Sequence, residues 1–105
     1  MKVTIIVMML VVGLGNVPPA FAEKADIQAG RLAASNCQGC HGPDGISPVP
    51  IYPNLAGQQA AYFIKALQDF KRGERKNPIM RGIVGNLTDD DIKNLAAFFA
   101  SLPVK

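Results

Sequence analysis

The sequence holds one histidine, two cysteines and no tryptophan in 105 residues. That scarcity excludes several classes of chemistry. Four Cys and His ligands for a structural zinc cannot be assembled. A Ser-His-Asp triad would have to use His41, the single histidine. A strong excess of one charge is also lacking. Eleven Lys and Arg stand against eight Asp and Glu, a formal net charge of +3. That is too weak and too mixed to make nucleic acid the main partner. No alternating strand pattern, internal repeat or low-complexity tract appears. The length excludes a second independent core. With 49% apolar and 18% charged residues, the chain is expected to fold.

What is present begins with a targeting pattern. Lys2 supplies a positive start, and Val3 to Val12 is an almost unbroken apolar run. Gly13, Gly15, Pro18 and Pro19 then interrupt it, and Ala20-Phe21-Ala22 forms an A-x-A cleavage site before Glu23. Residues 1–22 read as a secretory signal, leaving a mature domain at 23–105. The rival reading is an uncleaved anchor, but the run is short of the roughly 20 residues a span needs. The mature chain is expected to carry no membrane span. So small a domain gains from a staple or a cofactor. Export permits disulfides, yet Cys37 and Cys40 are three apart. A bond between them would close a tiny loop and add little stability.

The spacing of apolar residues predicts an all-α domain with about three main helices and long irregular connections. Asp26 is placed to cap a first helix whose apolar side is Ile27, Gly30, Ala33 and Ala34, running into Cys37. Pro43, Pro48, Pro50 and Pro53 make 42–57 an extended loop. Phe63, Ala66, Leu67 and Phe70 fall at i, i+3, i+4 and i+7, which predicts a second helix over 58–71 with Gly73 as its stop. Residues 74–87, with Pro78 and Met80, read as another loop. Thr88-Asp89-Asp90-Asp91 is a capping-box-like start, followed by a stripe of Ile92, Leu95, Ala96, Phe99 and Leu102, with Phe98 beside it. Pro103 ends the last helix. Loops this long in a small domain wrap something or carry function.

Cys37-Gln38-Gly39-Cys40-His41 is C-x-x-C-H, the signature of c-type haem attachment. On a helix, i, i+3 and i+4 share one face. Cys37 and Cys40 can then form thioethers at one porphyrin edge, with His41 as the proximal axial ligand. The competing reading is a thioredoxin-like C-x-x-C, but that motif belongs to an α/β pattern absent here. A second histidine ligand does not exist in the chain. Met1, Met8 and Met9 lie in the signal, so Met80 is the candidate distal ligand. The alternatives are that Met80 fills a gap in the core, or that Lys76 takes the sixth position. His/Met ligation raises the reduction potential, and a filled sixth position argues for electron transfer over catalysis.

From Ala29 to Pro103 the sequence resembles a bacterial class I cytochrome c. It is most similar to one half of the di-haem cytochromes c4 and to their single-haem relatives. The matching stretches are 37–42, Pro53-Asn54-Leu55-Ala56-Gly57-Gln58, Asp69-Phe70-Lys71, the Pro78 to Met80 segment, and 87–101. The resemblance implies a class I cytochrome c fold around one covalent haem c. It also implies that the Pro53 carbonyl accepts from His41 Nδ1–H, and that Leu55 packs on the haem. In that family the first and last helices cross tightly at a glycine, which fits Gly30 against Phe98 and Leu95. One C-x-x-C-H is present, not two. A second haem, if any, would belong to another chain.

Basic residues gather in one stretch. Lys65, Lys71, Arg72, Arg75, Lys76 and Arg81, against Asp69 and Glu74, give residues 65–81 a charge of +4. Such a field can steer transient redox partners, or it can be an ordinary solvated face. Tyr52, Gln58 and Tyr62 are candidates for haem propionates or for plain packing. The expected function is a soluble periplasmic electron carrier, not an enzyme, exchanging electrons with a donor and an acceptor protein. The alternatives are a haem-bearing subunit of a larger dehydrogenase, and an enzyme or gas sensor with an open iron site.

Overall fold

The computed structural model describes residues 2–6 and 24–105. Most of the apolar run and the A-x-A site lie outside the described residues. Among the described residues five helices follow in order: α1 (Ile27–Ala33), α2 (Ser35–His41), α3 (Ala60–Arg72), α4 (Pro78–Val84) and α5 (Asp89–Ser101). No strand occurs among the described residues, as the apolar spacing predicts. The helix count exceeds the expected three for two reasons. The first helix is broken in two at Ala34, and part of the expected loop at 74–87 is helical.

Local chemistry accounts for the ends. The Asp26 carboxylate accepts from the backbone N–H of Gln28 and Ala29 and starts α1. Thr88 and Asp91 form a reciprocal capping box at the start of α5, where Asp89 and Asp90 also favour the positive end of the dipole. Helix α3 stops at Gly73, which is left-handed.

Helix α5 is the central element. Its Ile92, Leu95, Phe98 and Phe99 are at most 1% exposed. Burying each such side chain contributes about 1.5–3 kcal/mol. Phe99 stacks on Phe63 of α3 at 5.3 Å between centroids and meets Phe98 edge-on at 5.0 Å. Helix α1 packs chiefly against α5, and α3 against both α5 and α4.

The α1–α5 crossing depends on Gly30. A Cβ there would lie 2.0 Å from the Asn94 carbonyl oxygen and 2.8 Å from Phe98 Cβ. The Asn94 side chain holds the same crossing by accepting from Asp26 N–H at 2.9 Å. Phe98, expected at this crossing, is in close contact there, the Asn94 backbone is closer still, and Leu95 is buried in the core cluster. Ile27, expected on the apolar side of α1, is exposed, because the close crossing at Gly30 brings only one narrow face of this short helix to α5.

Candidate functional site

Helix α2 carries the two thiols and the imidazole. Its hydrogen bonds begin at the Ala34 carbonyl, which accepts from Cys37 and Gln38 N–H. Cys37, Cys40 and His41 thus share one helix face, and all three line one cavity of about 530 Å³. Gly42 then reverses the chain at φ 85°, in a place where a Cβ would lie 1.9 Å from the Ile46 carbonyl oxygen. Only glycine fits both the dihedral and the space.

The loop after Gly42 is held by its own backbone. Leu55 and Ala56 N–H both donate to the Gly45 carbonyl, at 2.8 and 3.1 Å. Asn54 Oδ1 accepts from Ser47 N–H at 2.7 Å, and Ser47 Oγ donates to the Cys40 carbonyl at 3.1 Å. This closure brings Pro53 to the histidine. His41 is buried, and its Nδ1 lies 2.7 Å from Pro53 O. A carbonyl can only accept, so Nδ1 carries the proton and Nε2 keeps a lone pair for a metal.

Cys37 and Cys40 are not joined in a disulfide. Burial pushes the Cys37 thiol up from its ordinary value. A redox-active C-x-x-C works through a lowered thiol pKa, the opposite direction to that of Cys37.

Helices α3 and α4 supply a further part of the lining. Phe63, Leu67 and Phe70 contribute from α3, and Met80, Ile83 and Val84 from α4. Leu55 and Pro53 line the same cavity. So do Tyr52, Gln58 and Tyr62, the three residues named as propionate candidates. Met80 sits on a helix, not on the loop expected from Pro78. Asn77 caps that helix, its side chain accepting from Met80 N–H at 3.0 Å, and Pro78 occupies the first turn. Proline is favoured there, because its missing N–H would have no intrahelical partner. The Asn-Pro pair was a readable start signal. The structure adds Arg75, Asn36 and Leu87 to the lining.

The residues fit a haem. Two thiols, an imidazole with a free Nε2 and a thioether line one largely apolar cavity. Its size falls in the range of roughly 300–1,000 Å³ usual for cofactor sites. A second depression, of about 330 Å³, lies at Ala25, Ala60, Ile64, Lys93 and Ala97. Among the described residues it has no ligating side chain apart from the lysine.

The sequence model of the cytochrome c family matches residues 27–103. The chain belongs to the cytochrome c family. A domain of this family carries one covalent haem c, and the cavity lining fits that group. Over 101 residues this cytochrome c is 40% identical to cytochrome c4 of Pseudomonas aeruginosa, covering 96% of this chain and 49% of that protein. It is 40% identical over 86 residues to the thiosulfate dehydrogenase electron acceptor of Stutzerimonas stutzeri, covering 80% of this chain and 40% of that protein. Its fold superimposes on the crystal structure of reduced cytochrome c4 from Pseudomonas stutzeri with a TM-score of 0.71 and 40% identity, covering 75% of this chain and 46% of that one. This chain therefore spans about half the length of these relatives. The class I cytochrome c fold expected from the resemblance is the one observed.

The basic stretch of this cytochrome c frames the α3–α4 wall. Lys65 pairs with Asp69 at 2.5 Å, which raises the lysine and lowers the carboxyl from their ordinary values. Lys71 donates to the Leu87 carbonyl. Arg72, Arg75, Lys76 and Arg81 are exposed and in no ion pair among the described residues. No helix among the described residues is long and apolar enough to cross a membrane.

Proposed function

We propose that this cytochrome c carries one electron at a time between redox proteins in the periplasm. Cys37 and Cys40 hold the haem through thioethers. His41 Nε2 and Met80 Sδ would be the protein ligands to its iron. Pro53 O fixes the His41 tautomer, and Leu55 packs on the haem. The carrying observation is that His41 and Met80 line the same cavity as both thiols. Met80 is the one methionine among the described residues. The haem supplies a reversible one-electron change. Two protein ligands leave no position for a substrate, so the chain acts as a carrier and not as an enzyme.

Ile51, Tyr62 and Ile79 line the cavity and are also exposed, so it opens to solvent at that rim. Electrons pass there to and from a partner. The relative named as an electron acceptor of a dehydrogenase favours a second reading, a lasting place beside such an enzyme. The signal at 1–22 directs export, and the mature chain begins at Glu23.

Mass spectrometry of the exported protein tests this reading. It should find the chain from Glu23 plus one haem that acid-acetone does not extract. The ferric protein should show the near-infrared sulfur-to-iron charge-transfer band. Extractable haem overturns attachment, and absence of the band overturns Met80 ligation. Co-purification with a dehydrogenase at constant ratio would select the second reading.

A further inference from the structure

A haem brings two carboxylates as well as an iron. Among the described residues the cavity lining has no Asp or Glu, and Arg75 is its one permanently charged side chain. We propose that Arg75 binds a haem propionate and that its charge raises the reduction potential. This rests on the reading of the cavity as the haem site.

The geometry prepares the guanidinium for that task. Arg75 N–H donates to the Asp69 carbonyl at 3.1 Å, which fixes the backbone just beyond the end of α3. The guanidinium carbon lies 4.5 Å from the ring centroid of Phe70. Phe70 is itself buried and lines the cavity. Stacking on a ring restricts a long side chain while leaving its in-plane N–H donors free. Those donors have no ion-pair or hydrogen-bond partner among the described residues. The other cations of the stretch are placed differently. Lys65 is held by Asp69, Lys71 by the Leu87 carbonyl, and Arg81 lies against Gly73. None of them lines the cavity.

Arg75 is exposed, so a carboxylate beside it keeps part of its hydration, and a charge-assisted hydrogen bond adds to that. Neutral donors such as Tyr52, Gln58 and Tyr62 can hydrogen-bond it but cannot neutralise it. The planar guanidinium can do both, and it can donate to the two oxygens side by side. A cation beside the haem also opposes the extra positive charge of ferric iron. Arg75 therefore favours the ferrous state.

The test uses the holoprotein, with its haem mass and near-infrared band verified first. Loss of either fails the broader reading. With both present, the remaining results bear on Arg75 alone. In the ferrous protein, labelled at arginine nitrogen, Arg75 Nε–H should exchange slowly. It should also show an Overhauser contact to a propionate methylene. Arg75→Gln should lower the midpoint potential, and Arg75→Lys, which keeps the charge, should lower it less. Absence of the Overhauser contact overturns the proposal. So does an Arg75→Gln variant with the parental potential, or an Arg75→Lys variant that falls as far as Arg75→Gln.

Discussion

The Pro53 carbonyl oxygen stands 2.7 Å from Nδ1 of His41, across twelve residues of chain. The contact links two otherwise separate pieces of structure, the end of α2 and a loop without helix or strand. Because the acceptor is a backbone atom, no side-chain substitution at Pro53 removes it. Its position depends on the loop closure at Gly45 and on Asn54 and Ser47. An imidazole held this way has a fixed tautomer and ring orientation and is a stronger donor to iron.

Asn54→Ala should therefore loosen the histidine without touching it. Removing the acceptor for Ser47 N–H should cost about 1 kcal/mol of stability. Exchange of His41 Nδ1–H in the ferrous protein should quicken about fivefold if that loss opens the loop locally. Axial ligation should survive. Unchanged exchange would mean that the Gly45 bonds hold Pro53 unaided.

Much of this arrangement was legible in the residues, and the exceptions have physical reasons. Asp26, the Phe63-to-Phe70 stripe and the Thr88 box carry their local chemistry in adjacent residues, and each does in the structure what its pattern implies. The thiols and His41 were legible because one helix face brings them together. The break at Ala34 was not. No proline or glycine marks it, and Ala34 N–H is shared between the Gly30 and Arg31 carbonyls, at 3.0 and 3.3 Å. Gly30, before the break, meets α5, and Cys37, after it, lines the cavity. Arg75 stood out only as one member of the basic stretch, for a related reason. Charge clustering reports a patch, and only the fold shows which member of it stacks on Phe70.

Gly30→Ala should be among the most damaging single-methyl changes in the domain. The added carbon would meet backbone at 2.0 Å, and backbone cannot rotate away. The helices would have to separate, at a cost of about 3 kcal/mol by the usual scale of overpacking. Urea unfolding of the holoprotein measures it. A loss below about 0.5 kcal/mol would show that the crossing relaxes freely.

The basic stretch should govern encounter rates. Arg72→Glu with Lys76→Glu reverses two exposed cations that are free of ion pairs among the described residues. Reaction with an acidic redox partner should slow about tenfold at low salt. The difference should shrink as the Debye length falls to about 8 Å at physiological ionic strength and further above it. Stopped-flow rates across a salt series decide the matter. Equal rates for parent and variant at every salt concentration would return these residues to an ordinary solvated face.

The ligand bond of Met80 should depend on Asn77. Asn77 Oδ1 accepts from Met80 N–H and, with Pro78 in the first turn, starts the short helix that carries the thioether. A helix of seven residues has little intrinsic stability. Its cap therefore matters more than it would in α3 or α5. Asn77→Ala should cost about 1 kcal/mol at that terminus. If the loss falls on the ligated state of the segment, the fraction of iron with Met80 released should rise about fivefold. Carbon monoxide binds only when the sixth position is open. Its uptake by the ferrous protein should therefore quicken by the same factor, while the near-infrared band of the ferric protein persists. Met80→Ala sets the upper limit, with fast carbon monoxide binding, no band and a lowered potential. A Met80→Ala variant with the parental potential and no new ligand binding would remove Met80 from the iron altogether. An Asn77→Ala variant that binds carbon monoxide no faster than the parent would show that the cavity wall, and not the cap, holds Met80 in place.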